Sequence, residues 1–426
     1  MTNPVLESVV DDLNFPTSVS LDNAGNLYVA ESGLPFDGAP HGGVVSRIER
    51  DGGKSMLASG LRSPVNGITC HEDWLFISEG GNPGRISRLK LSTGQLQTIL
   101  DDLPGFGNYH TNMSAIGPDG KLYFSQGAMT NSGVIGLDSA DLAWLREVPH
   151  QCDVPGYDVT LTGVNVETRD PRVDGDARVC TGSFSAFGLP VRQGQRRVGQ
   201  VPCTSSVMRC NLDGSHLELV AWGLRNAYGL GFLPDGRLLA TDQGADERGS
   251  RPISNCPDFL FEVRPGAWYG WPDFFGGRPV SDPRFHSAGG PQPTFLLANH
   301  AELPPPETPL LEFDVNACAV KFAVVPPQSA RYAGDLIVAL FGDERPLTGP
   351  AGARVGRSLV RVSVADWSVH PLGQLSFSRP IDVAFDRTGA AYAVDFGDFE
   401  ITREKGIAAR AGSGRLCKLP QGFMEA

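Results

Sequence analysis

The sequence contains no apolar run near the roughly 20 residues that a membrane-spanning helix needs, so no membrane span is expected. Basic charge is scarce: 36 Lys and Arg stand against 48 Asp and Glu, a net −12, with no cluster beyond Arg192–Arg197. Such an acidic surface repels phosphate backbones, which disfavours nucleic acid as a partner. None of the eight cysteines stands in C-x-x-C or at zinc-ligand spacing, which excludes a structural zinc site. Most read as buried thiols. Cys152, Cys180, Cys203 and Cys210 share one Gly/Pro-rich segment, where one or two disulfides are expected only if the protein is exported. Helical periodicity is missing outside the short DSADLAWLREV stretch, which excludes a helical bundle. The N-terminal MTNPVLESVVDDL has neither a basic nor an apolar leader region. A native start at Met1 implies a cytoplasmic protein; a removed leader implies a periplasmic or secreted one.

What the chain has in excess is turn residues. Gly and Pro make up 85 of 426 positions, about a fifth, where average usage is roughly 12%. Hydrophobic residues at 41% and charged residues at 20% are globular values, so long disorder, collagen and coiled coil are excluded. Between the turns the chain repeats itself. A turn followed by an apolar strand occurs six times, as GNLYVAESG from Gly25, DWLFISEGG from Asp73, GKLYFSQG from Gly120, GRLLATDQG from Gly236, GDLIVALFG from Gly334 and GAAYAVDFG from Gly389. After each comes a strand alternating polar and apolar residues, such as VVSRIERDG from Val44 or GRLCKLPQG from Gly414. Period-two alternation bounded by Gly, Asp and Pro reads as antiparallel strands.

Six strand–turn–strand units predict an all-β fold, a six-bladed β-propeller of four-stranded antiparallel blades spanning residues 1–426 as a single domain. The N-terminal VLESVVDDL is expected to pair into the blade containing GRLCKL and close the ring. Successive first units start 48, 47, 116, 98 and 55 residues apart. The excess in the third interval marks a loop insertion at about residues 128–202, read as lying between blades three and four. Insertions of this kind gather on one face, the face that binds.

The repeat also serves as a ruler. Ten residues before each unit lie Phe15, Ser63, His110, Asn226 (after Arg225) and Arg379; in blade five Lys321 is nearest in character. Innermost strands meet at one axial mouth, so a histidine, an Arg–Asn pair and a second arginine converge there. Imidazole titrates near neutrality and suits a base, and guanidinium forks suit ligand carboxylates. Six residues forward lie Glu31, Glu79, Gln126, Asp242, Leu340 and Asp395. Acids at strand ends usually bond backbone amides, the reading taken for Glu31, Glu79 and Asp395. Asp242, within TDQGADERGSRP, stays open as a metal ligand.

The stretches GLRNAYGLGFLPDGRLLATDQGAD, GAWYGWPDF, HTNMSAIGPDGKLYFSQG and RPIDVAF resemble the soluble glucose/sorbosone (aldose sugar) dehydrogenase family, six-bladed propellers that bind pyrroloquinoline quinone (PQQ) and calcium. The resemblance runs from blade one to blade six, outside the insertion, and marks a divergent member. It implies a quinoprotein oxidoreductase that moves a hydride from the anomeric carbon of an aldose, or related sugar aldehyde, to PQQ and on to an electron acceptor. His110 matches the family's base. Arg225, Asn226 and Arg379 match residues that hold the quinone, with Arg345 and Lys321 as further basic contacts. The carbonyls of Gly244 and Ala245 fall where calcium is bound. The chain departs from the pattern at Tyr109 and Ala128, where the family has acids, and at Ile381, where it has a second arginine. Ala245 replaces a proline, and Phe259–Phe261 replaces an E-x-N. Two other readings follow from the residues: a calcium-dependent hydrolase or lactonase with His110 as base and Asp242 or Glu79 at the metal, and a non-catalytic sugar-binding propeller using Tyr109, Tyr228, Trp268 and Trp271. For Trp271 blade packing is the favoured role.

Overall fold

Short alternating strands fold back on themselves at Gly- and Asp-marked turns. At Gly25, Gly120, Gly236, Gly334 and Gly389 the backbone takes φ between 71° and 91°, which a Cβ would strain. Asp22, Asp119 and Asp386 brace three of these turns, each accepting a hydrogen bond from a tyrosine on the strand that follows: Tyr28 at 2.9 Å, Tyr123 at 3.0 Å and Tyr392 at 3.4 Å.

The result, in a computed structural model, is six four-stranded antiparallel sheets arranged as a six-bladed β-propeller. The structure describes residues 6–49, 52–105, 107–141, 144–288, 290–329, 331–344, 348, 354–372, 375–402 and 406–425. The innermost strands are Pro16–Leu21, Val65–His71, Thr111–Ile116, Ala227–Phe232, Ala319–Val324 and Pro380–Phe385, for blades one to six. Each packs beside the innermost strand of the next blade, and the sixth packs against the first. In blade six the outermost strand is Glu7–Leu13, which pairs antiparallel with Gly414–Lys418. Two chain ends meeting in one sheet lock the ring.

The insertion lies one strand earlier than its spacing suggested. It joins the second strand of blade three, Leu122–Gln126, to the third, Ser206–Cys210, and so belongs to blade three rather than to the junction with blade four. The distance between first units includes both connections and cannot separate them. Within the insertion are two short helices, Leu137–Asp141 and Trp144–Glu147, and a hairpin of Asn165–Arg169 with Arg178–Gly182. All eight cysteines are free thiols, so the cysteines of this segment are unpaired. No helix among the described residues is long and apolar enough to cross a membrane.

Candidate functional site

One hydrogen bond recurs in all six blades and sets the geometry of the axial mouth. The residue leading into the innermost strand accepts, through its carbonyl, the amide just past the end of the second strand. The pairs are Phe15 with Ser32, Pro64 with Gly80, His110 with Gly127, Asn226 with Gln243, Cys318 with Phe341 and Arg379 with Phe396, at 2.6–3.2 Å. The sixfold relationship brings His110, Asn226 and Arg379 to equivalent positions. In blade five the equivalent is Cys318, with Lys321 three residues deeper; in blade two it is Pro64, one past Ser63.

Four of these lead-in residues, Pro64, His110, Asn226 and Cys318, line an axial cavity of about 320 Å³. Its polar side adds Tyr109, Asn112, Gln243 and Glu344; its other side is aromatic, made by Phe36, Phe341, Phe396 and Phe399 beside Ile381. Phe15 and Arg379 lie behind that wall. Gln243, Phe341 and Phe396 sit one residue beyond the ruler's acidic position, so moving the ruler by one would have found them. Cys318 was hidden by the longer turn of blade five. Glu344 and Phe399 stand on irregular loops and leave no periodic signal.

His110 is anchored from behind. Its Nδ1 lies 3.1 Å from the carbonyl of Gly105, and since a carbonyl only accepts, Nδ1 carries the proton and Nε2 keeps its lone pair. A backbone carbonyl thus supplies the orientation that an adjacent acid would provide. Burial lowers the His110 pKa, outweighing the Gly105 bond, and favours neutral imidazole.

Arg225 is held on every side. Nε donates to the Asn131 carbonyl at 2.9 Å, Nη1 to the Gln243 carbonyl at 3.2 Å, and Nη2 to Asn131 Oδ1, Asp246 and the Tyr109 hydroxyl. Arg248 donates to the same hydroxyl at 2.8 Å and pairs with Asp246 and Asp138. Burial pushes the Tyr109 pKa up to about 12 despite both arginines, so the phenol stays protonated. Asn226 accepts from Asn112 at 2.8 Å and donates to Gln243 at 2.7 Å, which aligns three amides along the cavity.

Arg379 is fully buried. Nε donates to the Phe399 carbonyl, Nη1 to the carbonyls of Phe341, Gly342 and Asp343, and Nη2 to Glu400 at 3.2 Å. Lys321 lies on the axis below the cavity, donating to the carbonyls of Thr17 at 2.7 Å and Asn66 at 2.5 Å and pairing with Asp382 at 3.5 Å. It ties blades one, two, five and six together. Arg345 lies outside the described residues.

Asp242 accepts the backbone amides of Arg225 at 3.2 Å and Asn226 at 2.7 Å, one on each oxygen. Asp395 does the same for Ser378 and Arg379, Glu79 accepts from Arg62, and Glu31 from Asn14. The four acids cap the turns that carry the lead-in residues. Burial pushes the Asp242 pKa up to about 7. Gly244 borders a second cavity of about 120 Å³, which shares Tyr109, Gln243, Cys318 and Glu344 with the first. Among the described residues no hydrogen bond engages the carbonyls of Gly244 and Ala245, and no three His, Cys, Asp or Glu side chains converge to hold a metal. Trp268 and Trp271 are buried in the packing between the blade-three and blade-four segments, whereas Tyr109 and Tyr228 face the cavity.

No family model and no curated protein matches the chain. Solved structures do. The PQQ-bound aldose sugar dehydrogenase of Streptomyces coelicolor is 17% identical, with TM-score 0.56 over 97% of this chain and 96% of that one. The chain has the fold of the soluble aldose sugar dehydrogenases. The Escherichia coli enzyme of that name, in its apo form, is 13% identical at TM-score 0.56, covering 98% of this chain and 99% of its own. A calcium structure of the Trichoderma reesei carbohydrate-active enzyme family AA12 is 14% identical at TM-score 0.54, over 99% and 98%. The aldose sugar dehydrogenase fold therefore spans nearly the whole chain.

Proposed function

We propose that this protein is an oxidoreductase of aldoses or related sugar aldehydes, working with PQQ and calcium in the axial cavity and passing electrons to an acceptor. The observation that carries the reading is His110: a neutral, carbonyl-anchored imidazole bordering a cavity that is also lined by three hydrogen-bonded amides and by a cluster of phenylalanines packed edge to face. The donor set suits both groups. A planar acid-bearing ring would find the phenylalanines, Asn226 and Gln243, with the buried Arg225 and Arg379 set back from the lining. A hard cation finds the unengaged carbonyls of Gly244 and Ala245 beside a carboxylate-lined cavity.

When bound, PQQ would supply two-electron acceptance and calcium its polarisation. His110, with Nδ1 held by the Gly105 carbonyl, would accept the sugar hydroxyl's proton at Nε2. Asn226 and Gln243 would orient the polar edge of a bound ring, and Arg225, fixed by Asn131 and Asp246, would contribute positive charge without moving. Phe341, Phe396 and Phe399 exclude water. The hydrolase reading lacks the converging side-chain ligands it needs among the described residues, and the sugar-binding reading loses Trp268 and Trp271 to the interior.

The test is titration of metal-stripped protein with PQQ and calcium, followed by an aldose panel with an artificial electron acceptor. Calcium-dependent stoichiometric binding, and dye reduction lost in His110→Ala, are expected. No PQQ binding at micromolar concentration overturns the reading.

A further inference from the structure

The axial cavity is divided across its axis. Six blades in a ring put blade one opposite blade four and blade six opposite blade three. On blades three and four the lining carries hydrogen-bonding side chains, His110, Asn112, Asn226 and Gln243 among them. On blades one and six it is Leu34, Phe36, Ile381, Phe396 and Phe399, with Thr17 as the one hydroxyl among the described lining residues there. That hydroxyl is in use, since Thr17 Oγ1 donates to the Val65 carbonyl at 2.6 Å. The backbone is in use as well. The Leu34 amide donates to Ser32 Oγ and the Phe396 amide to the Arg379 carbonyl, while the carbonyls of Phe36 and Phe399 accept from Ala39 and Arg379. A ligand turned to this side meets apolar side chains and polar groups that are already engaged.

The apolar side also reaches the opening. Leu34 and Phe36 stand on the loop that leaves the second strand of blade one, Leu27–Glu31, at the mouth. Both stay partly exposed, whereas Ile381, Phe396 and Phe399 are buried. The Phe36 ring lies 5.7 Å from that of Phe399 and meets Phe15 edge-on at 5.6 Å, so blades one and six share one continuous apolar edge.

We propose that the axial cavity selects an aldose with an apolar substituent, such as an aryl ether, at the end of its ring remote from the anomeric carbon, in preference to a free hexose. The proposal rests on the aldose reading of the site. With the anomeric hydroxyl at His110, the far end of the sugar points across the axis at Leu34, Phe36 and Phe399. A free hexose carries hydroxyls at that end, and placing them against this edge forfeits their bonds to water without replacing them. An apolar substituent there instead takes its own surface, and that of the partly exposed Leu34 and Phe36, out of water.

The experiment is calorimetric titration of the full-length protein by D-glucose and by 6-O-benzyl-D-glucose, each with and without PQQ and calcium. The benzyl ether is expected to bind at least about tenfold more tightly than glucose, and Phe36→Ser to bring the two within about twofold of each other. Should Phe36→Ser fail to fold, Leu34→Ser removes apolar surface from the same edge and is expected to cut the preference to about threefold. A preference lost in these variants, from a chain that does not bind PQQ, leaves the proposal standing and the quinone reading fallen. PQQ binding with the two sugars held equally overturns the proposal and leaves the quinone reading in place. No measurable binding of either sugar at millimolar concentration overturns the proposal too. So does a preference that the folded serine variants retain in full, because the benzyl group is then held elsewhere.

Discussion

Arg225 lies over the ring of Tyr109, its guanidinium carbon 4.4 Å from the ring centroid, and also donates to the hydroxyl of that tyrosine. The pair joins blades three and four at the mouth and holds Arg225 rigid. Tyr109→Phe preserves the ring and the cation–π contact but deletes an oxygen that accepts from both Arg225 and Arg248. Leaving buried donors unmet is expected to destabilise the fold by about 1–3 kcal/mol, read from urea unfolding. A loss below about 0.5 kcal/mol would mean that the remaining partners, Asn131, Gln243 and Asp246 for Arg225 and Asp138 and Asp246 for Arg248, satisfy the two arginines without the hydroxyl.

His110 titrates at the mouth with its pKa lowered by burial. The imidazole resonance followed by NMR should have its midpoint below the ordinary 6.5. The unfolded chain binds this proton more readily than the folded one, so the contribution of His110 to stability falls as pH drops below about 6.5. Sugar-dependent turnover should fall on the acid side as the ring protonates, and His110→Ala should lower it by about 10²–10⁴-fold with PQQ binding retained. A midpoint at or above 6.5 would contradict the buried, carbonyl-anchored geometry.

The periodic part of this molecule was legible because each blade repeats the same turn chemistry. Asp119, Gly120 and Tyr123 build one turn, and Asp386, Gly389 and Tyr392 build its counterpart. Where a turn changes length the ruler slips. The two-residue turn at Glu72–Asp73 moves blade two's lead-in residue from Ser63 to Pro64, and the long connection between Val324 and Leu336 hides Cys318 in blade five. What no period encodes are contacts made by loops: the Gly105 carbonyl behind His110, Glu344 in the cavity, and Glu400 beside Arg379. Sequence places Arg379 in the right ring of residues, but only packing shows it turned away behind Phe341 and Phe399.

That burial gives Arg379 a structural role that precedes any ligand. Five contacts, to Phe399, Phe341, Gly342, Asp343 and Glu400, engage all three guanidinium nitrogens. Arg379→Lys keeps the charge and loses the fork, so several carbonyls are left without donors. The ligand-free variant should lose at least about 2 kcal/mol in urea unfolding. An unchanged unfolding midpoint would show that the arginine is reserved for ligand alone.

Asp242 offers the sharpest pH test. Its pKa in the folded chain, about 7, lies well above the ordinary 3.8 because burial opposes its charge. Between pH 4 and 7 the folded state therefore holds a proton that the unfolded state releases, so stability from this group is greatest in acid and is lost as pH rises toward 7. Asp153 and Asp258, both pushed up to about 6 by burial, act with the same sign. Asp242→Asn removes one contribution and leaves the other two. An amide oxygen can still accept from Asn226, but the second oxygen, which accepts from Arg225, becomes a donor and clashes with that amide. The variant should be less stable than the parent at pH 4.5. The gap should narrow as pH rises to 7.5, because the parent gives up the Asp242 contribution there at about a kcal/mol per pH unit, on top of the losses at Asp153 and Asp258 that the variant shares. A constant gap across that range would mean that Asp242 ionises as freely in the fold as outside it, and that the two backbone amides and Arg225 offset its burial in full.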